Sequence, residues 1–128
     1  MATVNQIVRF KKIQKVKWNS ARKLQGCPFK QGIVTVVYMG SPKNPNSGKR
    51  KLAKVALSTR KRAIVTIPDG GHTLQKYNRV LIRGGRARDV PGSHYKILRT
   101  SKGRTNDTMP GSLKRRQKRS KFGVIRFV

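Results

Sequence analysis

Two β-branched runs with a stiff polar turn between them set the frame for this chain. Ile33-Val34-Thr35-Val36-Val37-Tyr38-Met39 reads as a strand, and a second strand runs roughly from Lys51 to Ser58 with Leu52, Val55 and Leu57 as its apolar members. Between them lies Ser41-Pro42-Lys43-Asn44-Pro45-Asn46-Ser47-Gly48-Lys49-Arg50-Lys51. The two prolines bias Ser41 and Asn44 toward extended backbone, and Asn46, Ser47 and Gly48 suit a tight turn. The expected result is a stiff, basic, hydrogen-bonding finger that projects from a sheet. On loop chemistry alone, an ordinary hairpin loop on a basic protein competes evenly with it.

Further strands follow at short intervals. Thr59-Arg60-Lys61 is short enough for a hairpin turn, and Ala63-Ile64-Val65-Thr66-Ile67 supplies a third strand that Pro68-Asp69-Gly70-Gly71 stops. Leu74 falls in a longer connection, and Arg79 to Arg83 makes a fourth strand. The loop Gly84 to Gly92 precedes a fifth at about Tyr95 to Arg99. Five short strands, one tight hairpin and long connections elsewhere predict a mainly β domain, a small five-stranded Greek-key barrel of the oligonucleotide-binding type. In that architecture the loops after strands one and four bind nucleic acid, and here those are the finger and the Gly84 to Gly92 loop. An SH3-like barrel stays open, because strand count does not set topology.

Three parts are expected: a short helix and basic RNA-threading arm over 1–25, the barrel over 26–99, and a basic extension over 100–128. Thr3-Val4-Asn5-Gln6 fits a capping box for one or two helical turns, with Ile7, Val8 and Phe10 anchored on something else. From Lys11 to Gln25 neither helical nor strand periodicity holds. That stretch reads as an extended arm ordered along RNA through Lys11, Lys12, Lys15, Lys17, Arg22 and Lys23. Trp18 has two readings there, a stack on a base or a cover for the domain. After a turn-rich stretch, Lys114, Arg115, Arg116, Lys118, Arg119 and Lys121 crowd into one run, which Ser112 is placed to cap as a short helix. Such repulsion calls for RNA to order it. The apolar end, Phe122 to Val128, suits packing on the barrel or on a neighbouring protein.

Charge decides the partner. Lys and Arg number 32 against three aspartates and no glutamate, a formal charge of +29 over 128 residues. Such a chain repels itself until a polyanion neutralises it, and phosphate contacts can supply most of the affinity. No apolar run approaches the length that spans a bilayer, and no long amphipathic helix suggests a membrane surface. The lone Cys27 forms no internal disulfide, and Met1 to Arg9 lacks a secretory apolar region. Asp69, Asp89 and Asp107 are too far apart in sequence to suggest a carboxylate pair or magnesium cage. His72, His94 and Cys27 lack zinc spacing, and no Gly pair completes a Walker or dinucleotide fingerprint. An enzyme, a metal site and a cofactor are all disfavoured; any structural Mg²⁺ would be held by RNA.

Asp89 stands out among the acids. It shares its loop with Arg83, Arg86 and Arg88, so the expectation is that it pairs with those arginines, fixing the loop or orienting Arg86 or Arg88 toward a phosphate. His72 and Tyr77 flank Leu74 and Gln75, where stacking competes with packing. His94 has no evident partner.

Cys27-Pro28 with Gly32, Pro42-Lys43 with Pro45-Asn46-Ser47 and Arg50-Lys51, Gly71-His72 with Leu74-Gln75, and Leu81-Ile82-Arg83-Gly84-Gly85-Arg86 with Asp89 and Pro91-Gly92 together resemble the ribosomal protein S-twelve family. Met1 to Gln6 and Arg119 to Val124 are similar to that family's two ends. The resemblance implies a small-subunit protein at the decoding centre, where codon–anticodon fit and translational accuracy are supported at the aminoacyl-tRNA site. By matched position, Lys43, Pro45, Asn46 and Ser47, with Asn44 among them in the loop, would touch the decoding bases of small-subunit rRNA. Arg83, Arg86, Arg88, Asp89 and Pro91 would form the second loop, and Arg50 and Lys51 would join the arms on the rRNA backbone. Other small-subunit proteins are implied as neighbours, with aminoacyl-site tRNA and mRNA as indirect partners and elongation factors as transient ones. Bacterial members often carry a methylthio group on the aspartate matching Asp89. Asn44, Gly48-Lys49, Lys76-Tyr77 and Arg88 depart from the usual residues, and the spacing after Arg99 is longer. That divergence favours an organelle-encoded mitochondrial protein, with plastid or bacterial cytoplasm as alternatives.

Overall fold

The computed structural model describes residues 1, 3–9, 17–68 and 71–99. The expectations for Phe10 to Val16 and for Thr100 to Val128, including Lys11, Lys12, Lys15 and the 114–121 basic run, fall outside the described residues.

Five strands form the body: β1 (Phe29–Gly40), β2 (Arg50–Leu57), β3 (Arg62–Thr66), β4 (Arg79–Gly84) and β5 (Tyr95–Leu98). They close into a barrel in the order β1-β2-β3-β5-β4, antiparallel except for β3 against β5. This is the oligonucleotide-binding topology, and the SH3-like alternative falls away. Strand positions agree with the sequence reading to within a residue or so, apart from the start of β1, which begins at Phe29 rather than Ile33. The reason is tertiary: Phe29 to Ile33 pair with Arg83 to Arg79 on β4, while Gly32 to Gly40 pair with Leu57 to Arg50 on β2. One strand thus serves both neighbours, which closure requires.

Two local features let β1 bend that far. The register with β2 slips between Val34 and Val36, leaving Thr35 as a bulge that increases twist. Gly32 is buried where a Cβ would lie 2.5 Å from Val55 Cγ1 and 2.8 Å from Ala56 O, so only a missing side chain allows the crossing.

Inward residues build the core: Val34, Ala53, Val55, Val65, Val80, Ile82 and Ile97, with Leu74 from the β3–β4 connection. Arg99, also buried, donates from its guanidinium to Pro68 O at 2.9 Å and Gly71 O at 2.6 Å, holding that connection against the barrel.

The expected extended arm ends earlier than the sequence suggested. Arg22–Leu24 forms a 3₁₀ turn, Leu24 is 3% exposed within the core cluster, and Ala21 packs beside it. Tyr95 Oη accepts a bond from Lys23 N at 3.2 Å, and Thr59 Oγ1 donates to Lys23 O at 3.2 Å. Residues 21–25 therefore belong to the barrel rather than to an arm awaiting RNA, because its open end exposes apolar surface that Leu24 covers.

At the N-terminus the capping box forms as read. Thr3 N donates to Gln6 Oε1 at 3.2 Å and Gln6 N donates to Thr3 Oγ1 at 3.4 Å, starting α1 (Val4–Arg9). Val4, Ile7 and Val8 are exposed on it.

Candidate nucleic-acid interface

The finger and the second loop meet at one end of the barrel. β1 delivers the finger after Gly40 and β2 takes the chain back at Arg50. The second loop re-enters the sheet at Tyr95, which lies beside Val65 near the β2 end that carries Arg50. Barrel closure alone makes these two segments neighbours.

Asp89 ties them together. Its carboxylate Oδ2 accepts a bond from Arg50 Nε at 2.8 Å, and its main-chain carbonyl accepts one from Lys43 N at 2.7 Å. Both roots of the finger are thus held by a single residue of the other loop. The charge-assisted bond from Arg50 holds the Asp89 carboxyl below the usual carboxylate range, helped by its own backbone N–H and opposed by burial. Gly48 lies against the same guanidinium, where a Cβ would come within 2.8 Å of Arg50 Nη1.

The expected partners of Asp89 were Arg83, Arg86 and Arg88, and the structure corrects this. Arg83 sits on β4, and Arg86 and Arg88 are exposed. The loop is closed instead by its main chain, with Gly85 N donating to His94 O at 3.0 Å and Ala87 N to Ser93 O at 3.2 Å. Arg50, expected on the rRNA backbone, is engaged with Asp89. Nothing in local sequence marks Arg50 over three nearer arginines, since the choice is made by barrel closure.

Beyond the clamp, the finger tip is presented outward. Asn46 N donates to Lys43 O at 3.1 Å, closing a turn across a cis Asn44–Pro45 bond. Lys43, Asn44, Pro45, Asn46 and Ser47 are all exposed, as is Pro91 on the second loop, while Lys51 is half-buried on β2. The arrangement offers hydroxyl, amide and cationic groups on a braced tip beside two free-standing arginines.

Other predicted residues lie elsewhere. Lys17 and Arg22 are exposed and Lys23 is half-buried. Trp18 is 79% exposed with the Arg22 guanidinium 4.1 Å from its ring centroid, so it does not cover the domain. Tyr77 is 73% exposed at φ 70, with Lys76 Nζ 4.9 Å from its ring centroid, which removes simple packing as its reading. His94 keeps a buried Nδ1 with no hydrogen-bond partner. Cys27 is a free thiol.

A closed β1-β2-β3-β5-β4 barrel with a braced basic finger at one end defines a protein of the oligonucleotide-binding-barrel class. Residues 8–121 match the sequence pattern of the family described as ribosomal protein S12/S23. The chain belongs to that family of small-subunit ribosomal proteins, whose members are structural components of the ribosome. It is also 42% identical, over 96% of its length and 94% of the relative's, to the small ribosomal subunit protein uS12m of Acanthamoeba castellanii. That relative is a mitochondrial protein, as the suffix of its name records, and this supports the mitochondrial compartment expected from the sequence.

Proposed function

We propose that this chain is a non-catalytic constituent of the mitochondrial small ribosomal subunit that binds small-subunit rRNA and shapes the site where codon–anticodon fit is judged. The observation that carries the reading is the double hold of Asp89 on Lys43 and Arg50, which makes the finger and the second loop one braced surface. Minor grooves of A-form RNA are read by shape and by 2′-hydroxyls. The short Asn46 and Ser47 side chains on a stiff tip suit that contact better than long, mobile cations. Lys43, Arg86 and Arg88 around the tip supply phosphate contacts, with tRNA and mRNA reached through the rRNA and elongation factors met transiently. Any Mg²⁺ at this surface is held by rRNA.

Crosslinking in native mitochondrial lysate, with sequencing of the bound RNA, tests the reading. Crosslinks from the finger and second loop to the decoding bases of mitochondrial small-subunit rRNA are the expected result. Crosslinks scattered over many mRNAs without an rRNA peak would replace it with a free RNA-binding barrel.

A further inference from the structure

A second basic site lies on the outer wall of the barrel, beside the Gly92 end of the second loop. Lys23, Thr35, Lys54, Arg62, Ile64 and Gly92 line a cavity of about 340 Å³. Its three cations come from three separate segments: the 3₁₀ turn, the middle of β2 and the first residue of β3. Lys54 pairs with Ile64 across the sheet, so both stand on the same outer face.

Three cationic residues on the lining of one hollow make it a place where an anion is favoured. The chain does not provide that anion from its described residues. Asp89 is the one acid among them, and its carboxylate is taken by Arg50. The Lys54 ammonium lies 5.9 Å from the Tyr38 ring centroid, a cation–π contact that leaves its positive charge in place.

The hollow is also built rather than incidental. Lys23 is fixed at three points, its amide by Tyr95 Oη, its carbonyl by Thr59 and its ammonium by the Arg62 carbonyl. Thr35 is the bulge residue of β1, skipped by the β1–β2 register, and bulges re-aim side chains beside binding sites. Gly92, at φ 78, borders the cavity without a side chain to fill it.

We propose that this cavity binds a backbone phosphate of RNA, held by Lys23, Lys54 and Arg62 with the Thr35 hydroxyl as a further donor. The ligand assignment rests on the RNA-binding reading above; the anion site itself does not. It gives the rRNA a second anchorage on the β2–β3 wall, next to the second loop.

Two measurements on the full-length chain test this. Titration with inorganic phosphate, followed by amide NMR, is expected to move Thr35, Lys54, Ile64 and Gly92 saturably, and the K54A/R62A variant to lose the response. Small, unsaturable shifts spread over the basic surface would overturn the site. Binding to small-subunit rRNA across a salt series is the second. K54A/R62A is expected to bind about tenfold more weakly near physiological salt, with a log–log salt slope smaller by about one contact, or ~0.7 to 0.9. R62K should recover most of the affinity. K30A/K61A removes the same charge outside the cavity, and an equal loss there would show general attraction only, against the proposal. Saturable phosphate binding with unchanged rRNA affinity would assign the cavity to a free phosphate compound and reject RNA. Should the wild-type chain not prefer rRNA over unrelated RNA, the ribosomal reading fails, and the phosphate titration still decides the anion site.

Discussion

Arg50 and Asp89, 39 positions apart, meet at 2.8 Å and join the two loops that extend from one end of the barrel. The contact is half exposed, with side-chain accessibilities of 42% and 24%. Its value is positional: surface ion pairs add little stability, but this one sets where the finger stands. Charge-swapped R50D/D89R should restore the loop geometry that R50A or D89N loses. Hydrogen exchange at the Lys43 amide is the readout, faster in both single variants and slowed again in the swap.

The clamp has a predictable pH response. Asp89 has its pKa lowered in the folded chain by the Arg50 bond. Its stabilising contribution is therefore complete above the unfolded value of about 3.9 and is lost as pH falls through the lower folded value. Protection of the Lys43 amide should be flat from neutral pH to about pH 5 and collapse only in strong acid. A midpoint above the ordinary carboxylate value would contradict the ion pair.

Finger-tip substitutions should alter accuracy rather than assembly. Ser47→Ala removes a hydroxyl from an exposed tip and Pro45→Leu removes its stiffness, yet neither residue touches the core. Subunits carrying either variant are expected to assemble normally and to change the error rate in a misreading reporter. Wild-type error rates in both would defeat the proposed role of the tip.

Gly32→Ala should be severe for so small a change. The added Cβ meets Val55 Cγ1 at 2.5 Å and the Ala56 carbonyl at 2.8 Å, and a backbone oxygen within a strand has little room to yield. A loss of about 1–3 kcal/mol is expected from overpacking, measured by urea unfolding of the isolated chain.

The plug formed by residues 21–25 separates packing from hydrogen bonding. Leu24→Ala empties a buried site and should cost about 2–4 kcal/mol. Tyr95→Phe only orphans the Lys23 amide, at about 1 kcal/mol. Comparable losses from the two variants would show that the hydroxyl holds residues 21–25 in place as strongly as the leucine does.

Strand existence was legible because its signals are local. β-branched runs such as Ala63 to Ile67, the punctuation at Pro68, and the Thr3 to Gln6 capping box are read within a few residues, and these elements formed close to their expected bounds. The finger was legible for the same reason, since Pro, Asn, Ser and Gly constrain the backbone wherever they occur. The charge also belongs to the sequence alone: 32 cations against three acids demand a polyanion whatever the fold.

What the chain does with its few choices between distant residues depended on closure. Asp89 had three arginines nearby in sequence and took Arg50, because β1, β2, β3 and β5 bring the finger's root to the second loop. Leu24 read as part of a basic arm and became core, because only the closed barrel has an open end to fill. Lys23, Lys54 and Arg62, ordinary surface cations in sequence, share a cavity only once β1, β2 and β3 lie side by side. Backbone preference acts over a few residues and is written in the chain. Partner choice among like-charged residues is decided by distances that exist only after the sheet has closed.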